Sequence, residues 1–339
     1  MLSIVLDEPG HFRLAEMAAP ATPGPGEALV RVARVGICGT DLHAFRGRQP
    51  FFSYPRILGH ELGVEIIELG PETSNSGLQV GDRCAVEPYL NCGLCLACRR
   101  GKTNCCEKLQ VLGVHMDGGM VEWLVVPAAK LHRSTLPLEQ LALVEMLCIG
   151  AHAARRAQLT PEEQVVVVGA GPIGLATAQF AKLSGAAVAV MEISPKRRDF
   201  CRQHLGIETL IDPGDHAVEA MRAALGGDLP TVVFDATGNA NSMAAAFHYV
   251  ANSGKLVYVG LVQGDITFHD PEFHRREMTL LASRNATGED FQQVISALES
   301  GAVNIAPWIT HRSGPDSFIQ QFPTWLEPES GVVKAMLEF

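Results

Sequence analysis

The sequence of 339 residues predicts a chain of the α/β plus β class, which combines an all-β part with a parallel sheet covered by helices. Three observations support this prediction. Polar and apolar residues alternate in short segments over roughly the first 130 residues, a pattern typical of half-buried strands. From about Thr160, apolar strands alternate with helices, which indicates a parallel sheet. Near Arg284 this alternation ends, so two domains are expected at this length.

Three segments predict the strands of the all-β part. They are GEALVRVARVG at residues 26–36, GVEIIELG at 63–70 and CAVEPYL at 84–90. Gly, Pro and Asp residues between them mark turns. We therefore expect a compact, irregular β body with long loops.

The second part begins with the apolar strand VVVV, a glycine turn, the helix LATAQFAKLSG and the apolar strand VAVM. Further strands are predicted at 231–238 (TVVFDATG) and 254–262 (GKLVYVGLV), each preceded by a helix. After Arg284 the pattern predicts a helix, EDFQQVISALESG, and a terminal strand, VVKAMLEF.

Composition and charge limit the partners of the chain. The net charge of −10 argues against binding to nucleic acid phosphates. No apolar run reaches the roughly 18 residues that span a bilayer, and the sequence does not open on a signal-peptide pattern, so we expect a cytoplasmic protein with no membrane partner. Because cytosolic thiols stay reduced, the nine cysteines favour metal binding over disulfides.

The motif Gly169-Ala-Gly171-Pro172-Ile173-Gly174 follows an apolar strand and opens a helix. In that context it predicts a dinucleotide site, in which the first Gly allows the tight turn and the second lets backbone amides reach the diphosphate. The third Gly allows the helix and strand to pack closely, and the helix N-terminus faces the phosphate charge.

Glu192, at the end of the next strand, favours NAD over NADP. Its carboxylate would accept hydrogen bonds from the adenosine ribose and repel a 2′-phosphate. Three basic residues favour NADP instead, because they would neutralise such a phosphate: Lys196, Arg197 and Arg198. A solvated helix start is the alternative explanation of these residues. The other candidate cofactor contacts are Arg197, Thr237 and Gly238.

A dense group of cysteines lies in a loop of low apolar content. Cys92, Cys95 and Cys98 are followed by Cys106. Four thiolates around Zn²⁺ form a closed structural site with no position left for substrate. Cys105 adjoins Cys106 and is an alternative fourth ligand.

Together, four motifs resemble the zinc-dependent medium-chain alcohol dehydrogenases along the whole chain. They are C-G-T-D-x-H at 38–43, G-H-E at 59–61, the cysteine group at 92–106 and GAGPIG at 169–174. VLGVHMDGGMVEW and the ending VVKAMLEF are most similar to the bacterial sugar-acid and polyol branch, which includes starvation-sensing and L-galactonate or L-gulonate 5-dehydrogenase types. Sorbitol and L-threonine 3-dehydrogenases are more distantly similar.

The resemblance implies a GroES-like β-barrel catalytic domain built from residues 1–149 and 286–339, with a structural zinc lobe at 90–108. It also implies an inserted Rossmann domain at residues 150–285. The resemblance selects Cys106 rather than Cys105 as the fourth structural ligand.

The resemblance also implies a second, catalytic zinc ion held by Cys38, His60 and Glu61. Glu145 matches a further carboxylate that reaches zinc directly or through water. In many relatives a Pro follows that Glu, whereas Met146 follows here, and Glu145 is also explained as an acid at a helix start. The ligand chemistry suits Zn²⁺, since a thiolate and a carboxylate offset its charge, His adds a third bond, and a fourth position stays open for a substrate oxygen.

A proton relay is expected beside this site. Thr40, two residues after Cys38 on an expected extended turn, would accept the proton of the substrate hydroxyl. His43, whose ordinary pKa suits proton exchange near neutral pH, would deliver it to solvent. Asp41 would orient the imidazole of His60. A surface loop histidine is the alternative explanation of His43.

A small-molecule substrate is expected, and four arginines are candidates for binding a charged group of that substrate. Arg46, Arg48 and Arg56 lie among Phe45, Phe51, Phe52 and Tyr54, and Arg284 lies at the return to the catalytic domain. An arginine at the site would pair with a substrate carboxylate, which suits a sugar acid. Most of the four are more simply explained as surface ion-pair partners.

Three hypotheses for function remain at this point. The first is NAD-dependent oxidation of a secondary hydroxyl on a sugar acid or polyol, and the second is the same chemistry on L-threonine or a small diol. The third is a regulatory dinucleotide-binding protein without catalysis, against which the intact ligand and relay residues argue. From the family's edge-strand pairing we expect a homodimer or homotetramer.

Overall fold

The structure, a computed structural model, describes residues 1–49 and 52–339. The chain forms two compact units: unit 1 consists of Met1–Glu145 and Ala286–Phe339, and unit 2 consists of Met146–Asn285. The first change of unit thus falls four positions before the expected boundary at residue 149. Among the described residues, none of the helices has the length and apolar character required to cross a membrane.

The strands, in chain order, are β1 (Leu2–Glu8), β2 (His11–Glu16), β3 (Glu27–Ile37), β4 (Arg56–Ile57), β5 (Glu61–Leu69), β6 (Arg83–Val86), β7 (Tyr89–Leu90), β8 (Gln110–Val111), β9 (Trp123–Pro127), β10 (Leu131–Arg133), β11 (Gln164–Val168), β12 (Ala187–Met191), β13 (Leu210–Ile211), β14 (Val232–Asp235), β15 (Lys255–Tyr258), β16 (Thr279–Ala282), β17 (Ile309–Ser313) and β18 (Lys334–Glu338).

The α-helices are α1 (Gly39–Phe45), α2 (Leu96–Arg99), α3 (Leu138–Ala142), α4 (Val144–Ala157), α5 (Pro172–Leu183), α6 (Pro195–Phe200), α7 (Ala217–Ala224), α8 (Ala240–Ala245), α9 (Asp270–Arg275), α10 (Gly288–Glu299) and α11 (Pro315–Gln321).

Unit 1 is built on a seven-stranded sheet of order β10-β6-β5-β3-β18-β17, in which β9 also pairs with β3. The long strand β3 is central, with β5, β9 and β18 all antiparallel to it. Its alternating sequence directs Ala28, Val30 and Val32 into the core, where they are fully buried. The smaller sheets are β2-β1-β4 and the two-stranded ribbon β7-β8.

Unit 2 contains one six-stranded sheet of order β13-β12-β11-β14-β15-β16, in which every pairing is parallel. Its strands are continuous apolar runs, as expected of a sheet covered on both faces. Val166, Val233 and Leu256 are fully buried in its core. The strand order reverses between β11 and β14, the place where doubly wound sheets bind ligands. The predicted α/β plus β class is confirmed.

Two local predictions differ from the structure. The segment 84–90 is not one strand, because the ladder ends at Val86 and a new strand begins at Tyr89. Pro88 between them has no backbone N–H to donate to a neighbouring strand. Thr40, expected on an extended turn after Cys38, lies in the helix α1 instead.

Candidate functional site

Cys38, His60 and Glu61 meet in unit 1, with one possible ligand atom of each within 4.8 Å of the others. Cys38 follows β3, and the His60–Glu61 pair opens β5, the antiparallel neighbour in which Glu61 lies opposite Gly36. A Cβ at Gly36 would stand 2.1 Å from Glu61 Oε2, so only glycine leaves room for that carboxylate. Strand pairing therefore brings together the three residues expected to hold zinc.

The side chains of this cluster fit a metal ion. His60 is 5% exposed and Glu61 is fully buried. Glu61 Oε2 has no hydrogen-bond partner within the protein, which is costly for a buried carboxylate oxygen. A divalent cation held by Cys38, His60 and Glu61 would satisfy that oxygen, and the donor set of S, N and O suits zinc.

Lys334 is a member of this site that the sequence did not reveal. From β18 its ammonium group donates to Glu61 Oε1 at 2.5 Å and to the backbone oxygen of Ile37 at 2.9 Å. It is only 2% exposed. Burial opposes the charge of Lys334, but Glu61 and Cys38 outweigh it and raise its pKa. The sequence feature that could have identified Lys334 is its position as a single positive charge within the apolar run of the last strand.

Asp41 and His60 face each other, with 3.9 Å between Asp41 Oδ1 and His60 Nδ1. The other oxygen of Asp41 accepts a hydrogen bond from the Cys38 amide at 2.8 Å, which fixes the start of α1. Burial opposes the charge on His60, but Cys38 and Asp41 raise its pKa well above 6.5.

Glu145 lies in the first turn of α4 and is 5% exposed. Its Oε1 accepts a hydrogen bond from the hydroxyl of Tyr89, another residue that the sequence analysis missed. Burial raises the pKa of Glu145, and the nearby Glu61 raises it further. Glu145 stays outside the 4.8 Å group of Cys38, His60 and Glu61.

Thr40 and His43 both lie on α1, so the expectation of an extended turn beside Cys38 is wrong. Asp41 caps the backbone at Cys38 and starts a helix there. Residues three apart on a helix are neighbours on its surface, which places Thr40 and His43 side by side. Thr40 is half-buried and His43 is exposed. Partial desolvation and the charges of Arg46 and Arg48 lower the pKa of His43.

Two of the four candidate arginines are engaged elsewhere. Arg46 donates to the backbone oxygen of Leu326 at 2.9 Å. Arg56 donates to Ser53 at 2.7 Å and pairs with Asp117 at 3.3 Å. Arg48 and Arg284 also have interaction partners. Phe51 lies outside the described residues.

The four cysteines 92, 95, 98 and 106 form a second group with ligand atoms within 4.8 Å of one another, whereas Cys105 is exposed and outside it. The loop is carried by the ribbon β7-β8. Backbone amides donate to the sulfurs, as from Cys92 N to Cys106 Sγ at 3.3 Å. The amide of Cys98 and others lower the pKa of Cys95 to about 6. This geometry suits a closed zinc site of four thiolates.

The glycine motif forms the turn between β11 and α5 in unit 2. Gly169 has a φ of +92°, which favours glycine. A Cβ at Gly174 would stand 1.8 Å from Gly169 O, whereas space is open at Gly171, the N-cap of α5. Pro172 and Ile173, at the start of the helix, are half-buried. The turn thus presents the helix N-terminus to a bound anion.

Glu192 is buried beside this turn. Its Oε2 accepts from the Ala170 amide at 2.6 Å, and its Oε1 accepts from the Ser194 amide at 2.8 Å. Each carboxylate oxygen has a further lone pair for a ribose hydroxyl. Arg198 pairs with Asp212 at 3.1 Å and donates to the Glu192 backbone oxygen.

Of the remaining candidate cofactor contacts, some lie beside the glycine turn and one lies on the surface of α6. Thr237 follows β14 and lies next to Gly169, since a Cβ there would meet Thr237 Cγ2 at 3.0 Å. Gly238 has a φ of +60°. Asp235, missed in the sequence, is buried and accepts hydrogen bonds from Thr237. Arg197 is exposed on α6, and no ion pair links it to the described part of the chain.

Two protein-family models match the chain: Alcohol dehydrogenase GroES-like domain over residues 24–137 and Zinc-binding dehydrogenase over residues 172–300. L-galactonate-5-dehydrogenase of Escherichia coli K12 is 48% identical over 292 residues, covering 86% of this chain and 85% of that protein. An L-threonine 3-dehydrogenase of Pyrococcus horikoshii is 32% identical over 352 residues, covering 100% and 99%.

Among solved structures, the short chain alcohol dehydrogenase RspB of Escherichia coli CFT073, complexed with NADH, is similar with a TM-score of 0.92 and 29% identity. The similarity covers 100% of this chain and 99% of that one.

Proposed function

Because this chain belongs to the zinc-dependent medium-chain alcohol dehydrogenases, in their sugar-acid branch, we propose that it oxidises a secondary hydroxyl of a sugar acid such as L-galactonate or L-gulonate, or of a polyol, with NAD as the hydride acceptor. The observation that carries this proposal is the group of Cys38, His60 and Glu61, in which His60 and Glu61 are buried and one carboxylate oxygen of Glu61 has no hydrogen-bond partner. Zinc held there supplies Lewis acidity that lowers the pKa of a substrate hydroxyl.

The proposed roles of the other residues follow from their positions. Thr40 accepts the hydroxyl proton, and its helical neighbour His43 passes it to solvent. Because its pKa is lowered, His43 is neutral near pH 7 and free to accept that proton. Asp41 orients His60, and Lys334 holds Glu61 by one oxygen so that the other faces the ion.

NAD is the proposed cofactor because Glu192, held beside the glycine turn, disfavours a 2′-phosphate. The proposed cofactor contacts are Gly169, Gly171, Pro172, Ile173, Gly174, Glu192, Arg197, Thr237 and Gly238. The proposed structural ligands are Cys92, Cys95, Cys98 and Cys106. Residues 1–149 and 286–339 are the proposed catalytic domain, and residues 150–285 the proposed dinucleotide-binding domain.

We also propose a homodimer or homotetramer in the cytoplasm. The edge strand β16 pairs only with β15 among the described strands, and three of its four residues are exposed. The nine cysteines form no disulfide among the described residues, as is typical of a reducing compartment.

The test is a screen of NAD reduction over aldonates, polyols, small diols and L-threonine, with zinc quantified in the same sample. We expect kcat/KM for L-galactonate or L-gulonate to exceed that for L-threonine at least tenfold. A Cys38→Ala variant, which removes one zinc ligand, serves as the control and should be inactive. A preference for L-threonine would favour the second hypothesis, and a zinc-replete protein inactive on every substrate would favour the regulatory one.

A further inference from the structure

Tyr89 makes a contact that the proposed mechanism does not use. Its ring is 3% exposed, and its hydroxyl donates a hydrogen bond to Oε1 of Glu145, 56 positions later in the chain. Both partners are buried, so water does not compete freely for this carboxylate. The hydroxyl of Tyr89 is thus directed at a buried carboxylate oxygen rather than at solvent.

Both ends of the contact are fixed by regular structure. Tyr89 lies in β7, opposite Val111 of β8. Glu145 occupies the first turn of the 14-residue helix α4, where a carboxylate is favoured by the helix dipole. The hydrogen bond therefore restricts the carboxylate of Glu145 to one orientation.

The two acids of the site are held by chemically different groups. Lys334 pairs with Glu61 and offsets its negative charge. Tyr89 is a neutral donor, so it holds Glu145 through a hydrogen bond rather than an ion pair. Glu145 interacts electrostatically with both His60 and Glu61.

We propose that Tyr89 is a positioning residue of the metal site, whose hydroxyl fixes the Glu145 carboxylate in the orientation that helps to hold an ion at Cys38, His60 and Glu61. This assignment rests on the proposed function, because it takes that cluster as a zinc site. Residues that orient metal ligands typically change metal affinity 10- to 100-fold when they are replaced.

The experiment measures zinc affinity in the full-length protein by competition with a chromogenic chelator. The zinc that the wild type binds and Cys38→Ala does not bind is the zinc held at this site. Tyr89→Phe should weaken the affinity for that zinc ion by roughly tenfold or more. The zinc affinity of the four-cysteine lobe should change by less than about twofold. Glu145→Asp, which draws the carboxylate away from Tyr89, should have a similar effect. Circular dichroism verifies that each variant is folded.

A double-mutant cycle separates positioning from general destabilisation. If Tyr89 acts through Glu145, Tyr89→Phe in a Glu145→Ala background causes no further loss. The matched control is Tyr258→Phe, which removes a half-buried hydroxyl that donates to the Met243 backbone oxygen at 2.6 Å, and it should leave zinc affinity unchanged.

Unchanged zinc affinity in Tyr89→Phe, or a full additional loss in the Glu145→Ala background, would overturn the assignment while leaving the proposed function intact. If the wild type bound no more zinc than Cys38→Ala, both the proposed function and this assignment would be overturned.

Discussion

Thr40 and His43 are three positions apart on α1, and this spacing defines the proton path that we propose. Replacing Thr40 by Ala removes the hydroxyl and no proposed metal ligand. We expect zinc content to stay intact while kcat falls by roughly tenfold or more, as for the loss of a proton-transfer group. Steady-state kinetics with zinc analysis checks this.

Thr40→Ser is the matched control for this prediction, since it keeps a hydroxyl at the same position and should retain most of kcat. Equal activity of the Ala and Ser variants would remove Thr40 from the path.

Glu192 is the residue on which the preference for NAD depends. Glu192→Gln removes the negative charge that disfavours a 2′-phosphate, although the amide oxygen still accepts one hydrogen bond. We expect the ratio of kcat/KM for NAD to that for NADP to fall by roughly tenfold. Glu219→Gln, the same charge change at an exposed position of α7, should leave the ratio unchanged. If Glu192→Gln also left it unchanged, the selectivity would lie elsewhere.

Functional residues within short motifs could be identified from the sequence. Functional residues that contact each other across distant segments could not. The cysteine group and GAGPIG each occupy a few consecutive positions, so spacing alone indicates their chemistry. Lys334 meets Glu61 across 273 positions, and Tyr89 meets Glu145 across 56. Only the pairing of strands and helices brings such partners together, and one sequence contains no record of that pairing.

At the scale of elements, α1 shows how a local signal was misinterpreted. Thr40 was expected on an extended turn after Cys38, whereas Asp41 accepts a hydrogen bond from the Cys38 amide and starts a helix. The acid three residues after the N-cap was the available signal. The parallel strands of unit 2 were easier to predict, because strands buried on both faces are continuous apolar runs.

The loop between β7 and β8 has little apolar content, so we expect a metal ion to stabilise it. Cys95→Ser should remove one of the two expected zinc ions. It should also lower the midpoint of thermal unfolding by several degrees, because binding of a structural metal contributes to the free energy of folding. Zinc analysis and calorimetry check both effects.

Cys105→Ser is the matched control for the loop, because it changes an exposed cysteine outside the four-thiolate group. It should retain full zinc content. A greater loss of zinc in Cys105→Ser than in Cys106→Ser would reassign the fourth ligand.

At the scale of the whole molecule, the open edge of β16 bears on assembly. Leu280 on this strand is 38% exposed. If two copies pair through β16, the wild type has twice the 36.4 kDa mass of one chain or a higher multiple. Leu280→Lys places a charge on the edge and should shift the mass toward 36.4 kDa. Sedimentation equilibrium measures this.

Leu183→Lys is the control for assembly, since Leu183 is similarly exposed, at 43%, but lies at the end of α5. It should leave the mass of the assembly unchanged. A wild type of 36.4 kDa at all concentrations would contradict the proposed dimer or tetramer.

The pairing of β3 with β18 determines when Lys334 can reach Glu61 during folding. Ile37 and Ala335 are partners although they are about 300 positions apart, and all of unit 2 lies between them in the chain. Closing so long a loop is entropically costly and slows folding. Unit 2 is contiguous and has its own core, so we expect its collapse to shorten that loop before β18 docks. Substitutions in unit 2 that delay its folding will therefore also delay the arrival of Lys334 at Glu61, although they touch neither residue.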